Sequence, residues 1–209
     1  VNDQLQQTLH GTAMPDISEN VEIISTLMDY CEDDWEVLKS EARQISEWSP
    51  DLVKIFYDTL YSYEKTASVF HEGERPKVEE RLARWIASLA SGTKEKDFWQ
   101  HQWIIALVHI QRGVRNIYVL GMMNRLQQII LQKCMETYEQ PKALRVYTAF
   151  LRLSGVIAAL IAECYTELQE SITTQGLSMA GLNPGLVQRI RELQIGKMMG
   201  QMGSDGRAS

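Results

Sequence analysis

From Asp16 to Glu170 apolar residues recur every three or four positions, with no sustained strand-like alternation, and this period predicts an all-α chain. A first helix is expected over about 18–29 and a second over about 33–46, where Trp35, Leu38, Ala42 and Ile45 share one face. Ser49-Pro50 has the form of an N-cap followed by proline in a first turn, so a new helix is expected to start there, with Val53, Phe56, Tyr57 and Leu60 as its apolar stripe. The breaker Gly73-Glu74-Arg75-Pro76 separates it from a helix over 77–90 that carries Val78, Leu82, Trp85, Ile86 and Leu89 and ends at Ser91-Gly92. Three more follow: 96–112, stopped at Gly113; 117–138, broken before Pro141; and 142–173, with Leu144, Tyr147, Leu151, Ser154, Ala158, Ile161 and Tyr165 on one face. Seven or eight helices of unequal length argue against a simple four-helix bundle.

The flanks read differently. Residues 1–17 are polar and are expected to be disordered. The stretch 176–185 is rich in Gly, Ser, Asn and Pro and reads as a linker, followed by an amphipathic segment over 186–199 that predicts a short helix. The expected organisation is thus one domain over 18–175, with 176–209 as a linker or flexible tail.

Composition narrows the functions. Of the 209 residues 44% are hydrophobic, enough for one sizeable core, and the formal net charge of −6 argues against binding nucleic acid or an anionic membrane. No uncharged apolar run approaches the ~18 residues of a membrane span, and the N-terminus has no apolar signal-peptide core, so a cytoplasmic protein is expected. Cys31, Cys134 and Cys164 are odd in number and lack C-x-x-C spacing, which fits reduced, packed thiols. Without C-x-x-C-H, a haem could be held only by ligation and packing, as haem b.

Four histidines are the candidate ligands. His10, His71 and His101 lie in polar surroundings or at helix ends and read as solvated. His109 sits in Ile104-Ile105-Ala106-Leu107-Val108-His109-Ile110, and a titratable ring in such a run must find a hydrogen bond, a metal or another role. On the residues alone, a core histidine bonded to a backbone carbonyl and a metal ligand both remain open. No Asp or Glu stands three residues before a histidine, so the Glu-x-x-His pairs of carboxylate di-iron bundles are missing. His101 and His109 are about 80° out of alignment and more than two helical turns apart, poor spacing for one zinc. Metalloprotease, Walker and G-x-S-x-G motifs are absent too.

Order and spacing carry a resemblance. The run Phe98 to Val114, with His109 followed four residues later by Gly113, resembles the F-helix region of the globin-coupled sensors and protoglobins. Gly121 falls where that family's next helix tends to have glycine. Leu52 to Leu60, with its Phe56-Tyr57 pair, is similar to the family's B helix, and Arg81 to Gly92 to its E helix. The likeness spans about 18–173. Two positions depart from it: Arg115-Asn116 stands where the family often has proline, and Arg112 replaces a commonly apolar residue. Arg112 is expected to face solvent, with a haem propionate as its other possible contact.

The resemblance implies a globin fold of the sensor type with an extra N-terminal helix, binding haem b through His109 as proximal iron ligand. It implies Tyr57 as a distal residue whose hydroxyl donates a hydrogen bond to bound O2, against the plain alternative of a packed tyrosine bonded locally. Phe56, Val78, Leu82, Trp85 and Ile105 are expected around the cofactor, with either Val78 or Arg81 turned inward according to helix phase. The function implied is sensing or binding of a diatomic gas, O2 and possibly CO or NO, rather than an enzyme. A haem-free interaction module and a haem enzyme of the nitric oxide dioxygenase or peroxidase kind are the alternatives. The resemblance also implies a homodimer through the last two long helices, for which Tyr147, Leu151, Ser154, Gly155, Ala158 and Ala159 would allow close packing, unless they serve the intrachain core. Family members commonly pass the signal to a downstream domain or protein.

Overall fold

The computed structural model describes residues 16–91, 96–179, 185, 189–190 and 192–195. Among them the backbone is helical with no strand, in the order α1 (Ser18–Leu27), α2 (Glu32–Ser40), α3 (Ala42–Tyr61), α4 (Glu64–Ala67), α5 (Arg75–Leu89), α6 (Lys96–Gln111), α7 (Asn116–Thr137) and α8 (Gln140–Met179). Two compact units divide between Tyr165 and Thr166. In the second, 166–179 continue α8, and 185, 189–190 and 192–195 are helical. Of the segment 1–17 expected to be disordered, 1–15 lie outside the described residues, whereas Ile17 is the N-cap of α1 and is buried in the core, an apolar side chain that packing orders. Most of the 186–199 helix also lies outside them.

Two expected boundaries move. The break foreseen at Ser49-Pro50 is absent: α3 runs through Pro50, and the interruption falls earlier, at Glu41. An interior proline removes the partner of the Ser46 carbonyl and costs about 3 kcal/mol. Ile45, Trp48, Leu52, Val53 and Tyr57 are all buried on one continuous stripe across it, and that burial outweighs the local cost. Glu41 holds the interruption in place, since its carboxylate accepts the Tyr138 hydroxyl at 2.6 Å and pairs with Lys142 at 2.6 Å. At the far end, α8 continues through Gly176 where the linker was expected to begin. One glycine costs a helix only about 1 kcal/mol, too little to end it.

The buried face of α8 differs in part from the expected one: Ser154 and Ile161 are buried as expected. Ala143, Val146, Ala149, Phe150, Leu153, Val156, Ile157, Leu160 and Cys164 form the centre of the core, whereas Leu144 and Leu151 are exposed. Both faces of this helix carry apolar residues, so periodicity alone does not choose between them. By length and composition α8 could cross a membrane, yet half of its most apolar window is buried inside the protein. Gly155 brings α1 close: a Cβ there would stand 3.2 Å from the Met28 sulfur. That glycine therefore serves packing within the chain.

Candidate functional site

The site begins with how α6 ends. Gly113 has φ +70°, the left-handed conformation that glycine adopts at no steric cost, and its N–H donates to the Ile110 carbonyl at 2.9 Å. The Val114 N–H donates to the His109 carbonyl at 3.0 Å. These two bonds are a Schellman motif, and they place His109 on the last turn of α6. The turn is pinned from α8, because the Tyr165 hydroxyl donates to the Val114 carbonyl at 2.8 Å. Arg115, where the family often has proline, has φ −76° and ψ 140°, a conformation that proline also adopts. The backbone at this position would therefore also admit proline.

His109 lies among apolar neighbours, and its Nδ1 is buried without a hydrogen-bond partner. An unpaired buried polar atom costs about 1–3 kcal/mol, so a core histidine bonded to a backbone carbonyl does not describe this one. Burial, reinforced by the Arg112 charge, pushes its pKa down to about 4. The ring is therefore neutral near pH 7, the form whose lone pair can ligate a metal. Among the described residues no three His, Cys, Asp or Glu side chains converge on a metal position. A single neutral imidazole suits an iron whose remaining donors come from a porphyrin, so the residues present fit haem.

A stability prediction follows for the cofactor-free chain. In the unfolded chain the imidazole titrates near 6.5, in the folded one near 4. Between these values the unfolded state takes up a proton that the folded state refuses, so stability falls as pH drops. Urea midpoints at pH 7 and pH 5 should reveal a loss of about 2 kcal/mol that is missing in His109→Leu.

Elsewhere in the core, α3 presents Tyr57 and α5 presents Val78, both buried. The Tyr57 hydroxyl donates to the Val78 carbonyl at 2.9 Å. Its ring packs edge-on against Phe56 (centroids 5.2 Å apart) and Phe70 (5.8 Å). Burial is the largest cause raising its pKa, so the phenol keeps its proton and stays a donor. The choice of helix phase is settled, because Val78 turns into the core while Arg81 is exposed. Phe56, Leu82, Trp85 and Ile105 are half-buried.

Two polar clasps join α5 to α6. Near the end of α5, the Trp85 indole N–H donates to Gln102 Oε1 at 2.9 Å, and Gln102 Nε2 donates to the Phe98 carbonyl at 3.3 Å. At the other end Glu74, the N-cap position of α5, grips Arg112 through two bonds of 2.5 and 2.6 Å. The helices are thus antiparallel, and about 15 Å of each lies between the clasps at ~1.5 Å per residue. Val78, Arg81, Leu82, Ile105 and His109 all fall in that interval. The expectation that Arg112 faces solvent is not met. Its partner stands 38 residues earlier, and sequence periodicity has no means of pairing residues so far apart.

The remaining chemistry-bearing side chains stand apart. His71 is exposed in the turn before α5, where its backbone N–H donates to Glu74 Oε2 at 3.1 Å, and His101 is exposed on α6. His10 lies outside the described residues. Cys31, Cys134 and Cys164 form no disulfide among the described residues. Gln102 was missed by the sequence reading. No sequence signal marks it, because glutamine is ordinarily exposed and only the fold buries this one completely.

Comparisons with known proteins bear on the fold and the family. The globin domain of a Geobacter sulfurreducens globin-coupled sensor is similar in structure, with a TM-score of 0.65 at 20% identity, covering 69% of this chain and 96% of that one. The ferric globin domain of E. coli DosC has a TM-score of 0.55 at 19% identity, covering 68% and 95%. No curated protein matches the sequence. The fold is that of a sensor globin, and the protoglobin family model matches residues 19–171, nearly the whole described helical body from α1 into α8. The chain belongs to the protoglobin family.

Proposed function

We propose that this chain binds haem b through His109 and uses it to bind or sense a diatomic gas, with Tyr57 as the distal hydrogen-bond donor. Membership of the protoglobin family supports haem-based gas binding or sensing as the general class. The observation that carries the finer reading is the buried, unpartnered Nδ1 of His109 on an imidazole kept neutral by its surroundings. When bound, haem supplies an iron with an open position for a gas.

The chain's own residues do the rest. His109 holds the metal from α6, and the Schellman turn fixes where that ring can be. Phe56, Leu82, Trp85 and Ile105, half-buried, provide apolar surface for a porphyrin to cover. In this proposal Val78 helps close the distal side, and the exposed Arg81 of α5 meets a carboxylate at the cofactor's edge. Tyr57 has one hydroxyl proton, now on the Val78 carbonyl. Rotation about its C–O bond redirects that proton toward a polar gas without moving the ring.

Titration of the protein with haemin tests the reading. A saturable Soret band at one equivalent per chain is expected, and its absence would favour the haem-free interaction module. The proposal includes a homodimer through α7 and α8, supported by the exposed apolar side chains of Leu120, Leu131 and Met135 on α7 and Leu144 and Leu151 on α8. Sedimentation should give twice the 23.9 kDa chain mass, and a monomer at micromolar concentration would remove that part.

A further inference from the structure

Arg112 lies one helical turn beyond His109, where the Schellman turn begins. Its guanidinium fork takes both oxygens of Glu74, at 2.5 and 2.6 Å, and its Nη2 also donates to the Val69 carbonyl at 3.1 Å. The two side chains are only 22% and 14% exposed, so water screens the pair little. The same guanidinium lies 6.0 Å over the Phe70 ring. Phe70 in turn stacks on Tyr61 at 5.0 Å and stands edge-on to Tyr57 at 5.8 Å. A continuous set of contacts therefore runs from the turn carrying the proximal candidate to the distal tyrosine.

A paired surface charge needs none of this. Bidentate arginine geometry is directional as well as strong, so it fixes where the end of α6 sits and not merely that it stays close. The Arg112 hydrogen bond is the main cause that holds the Glu74 carboxyl well below the usual range, at about 2, and the pair stays charged at any pH near neutrality.

We propose that Arg112 is a positioning residue for His109: its grip on Glu74 and Val69 sets the pose of the last turn of α6 and links it, through Phe70, to the Tyr57 side. The proposal rests on the functional reading above. In that reading the strain on the iron–histidine bond and the rate of gas release both depend on this clasp.

The test uses the full chain loaded with haem, as wild type, Arg112→Met, Glu74→Gln and the double variant. Resonance Raman of the ferrous protein reads the iron–histidine stretch, and flash photolysis and stopped flow read CO and O2 release. Each single substitution is expected to shift the stretch and change gas release by about threefold to tenfold. The double variant should match Arg112→Met alone, because both remove one interaction. A purely structural clasp would lower the urea midpoint and leave the stretch in place. Variants with full haem content and an unchanged stretch overturn the proposal while leaving haem binding by His109 intact. A wild type without a Soret band overturns the functional reading, and the proposal with it. Should Arg112→Met fail to fold, Glu74→Gln alone decides, since it leaves the Val69 bond available to Arg112.

Discussion

Tyr57→Phe in the haem-loaded protein is expected to speed O2 release by about tenfold or more and to change CO release much less. The hydroxyl is the only group removed, and the ring contacts to Phe56 and Phe70 survive in phenylalanine. A hydrogen bond to a ligand carrying partial negative charge contributes about 1.5–3 kcal/mol, and 1.4 kcal/mol corresponds to one factor of ten. CO carries little charge and gains little from the same donor. The substitution also has a cost in the fold, because the Tyr57 hydroxyl donates to the Val78 carbonyl. That carbonyl lies inside α5, where it can keep a helical partner, so the loss in stability should be near 1 kcal/mol. Stopped-flow release of both gases decides the matter. Equal effects on O2 and CO would remove Tyr57 from the distal role and leave it as a packing tyrosine that ties α3 to α5.

Much of the arrangement is legible along the chain because it is local. The helix from Lys96 ends where Gly113 follows His109 by four residues, and a left-handed glycine at that spacing both stops the helix and fixes the ligand turn. Apolar neighbours around His109 forecast a buried imidazole, and the structure leaves its Nδ1 without a partner. Local rules also misled where a longer pattern outweighed them. Ser49-Pro50 looks like a helix start, yet the stripe from Ile45 to Tyr57 continues across it.

Other features were out of reach for a physical reason. Arg112 and Glu74 meet only once α5 and α6 lie antiparallel, and nothing in the period of either helix encodes which charged residue meets which. The same holds for Trp85 and Gln102, and for the Tyr57 hydroxyl on a backbone carbonyl 21 residues away. In α8, apolar residues on opposite faces made the inward side ambiguous, and the expected face turned out to include exposed Leu144 and Leu151. A four-residue helix such as Glu64–Ala67 is too short for any periodic signal.

His109 carries the account, and His109→Gly should have the largest effect of any single change. Removing the imidazole leaves a space of the ring's own shape on the last turn of α6 and takes away the one side chain proposed to hold the metal. The glycine variant also weakens the helix by about 1 kcal/mol, an effect that His109→Ala, nearly free of that cost, separates from loss of the ligand. The most direct measurement is the ferrous visible spectrum and iron–histidine stretch of the wild type and the glycine variant, without and with added imidazole. Expected are a histidine-ligated spectrum in the wild type, loss of the stretch and of most haem affinity in the variant, and recovery of the wild-type spectrum when imidazole fills the space. Full haem content with an unchanged ferrous spectrum in the variant would contradict it.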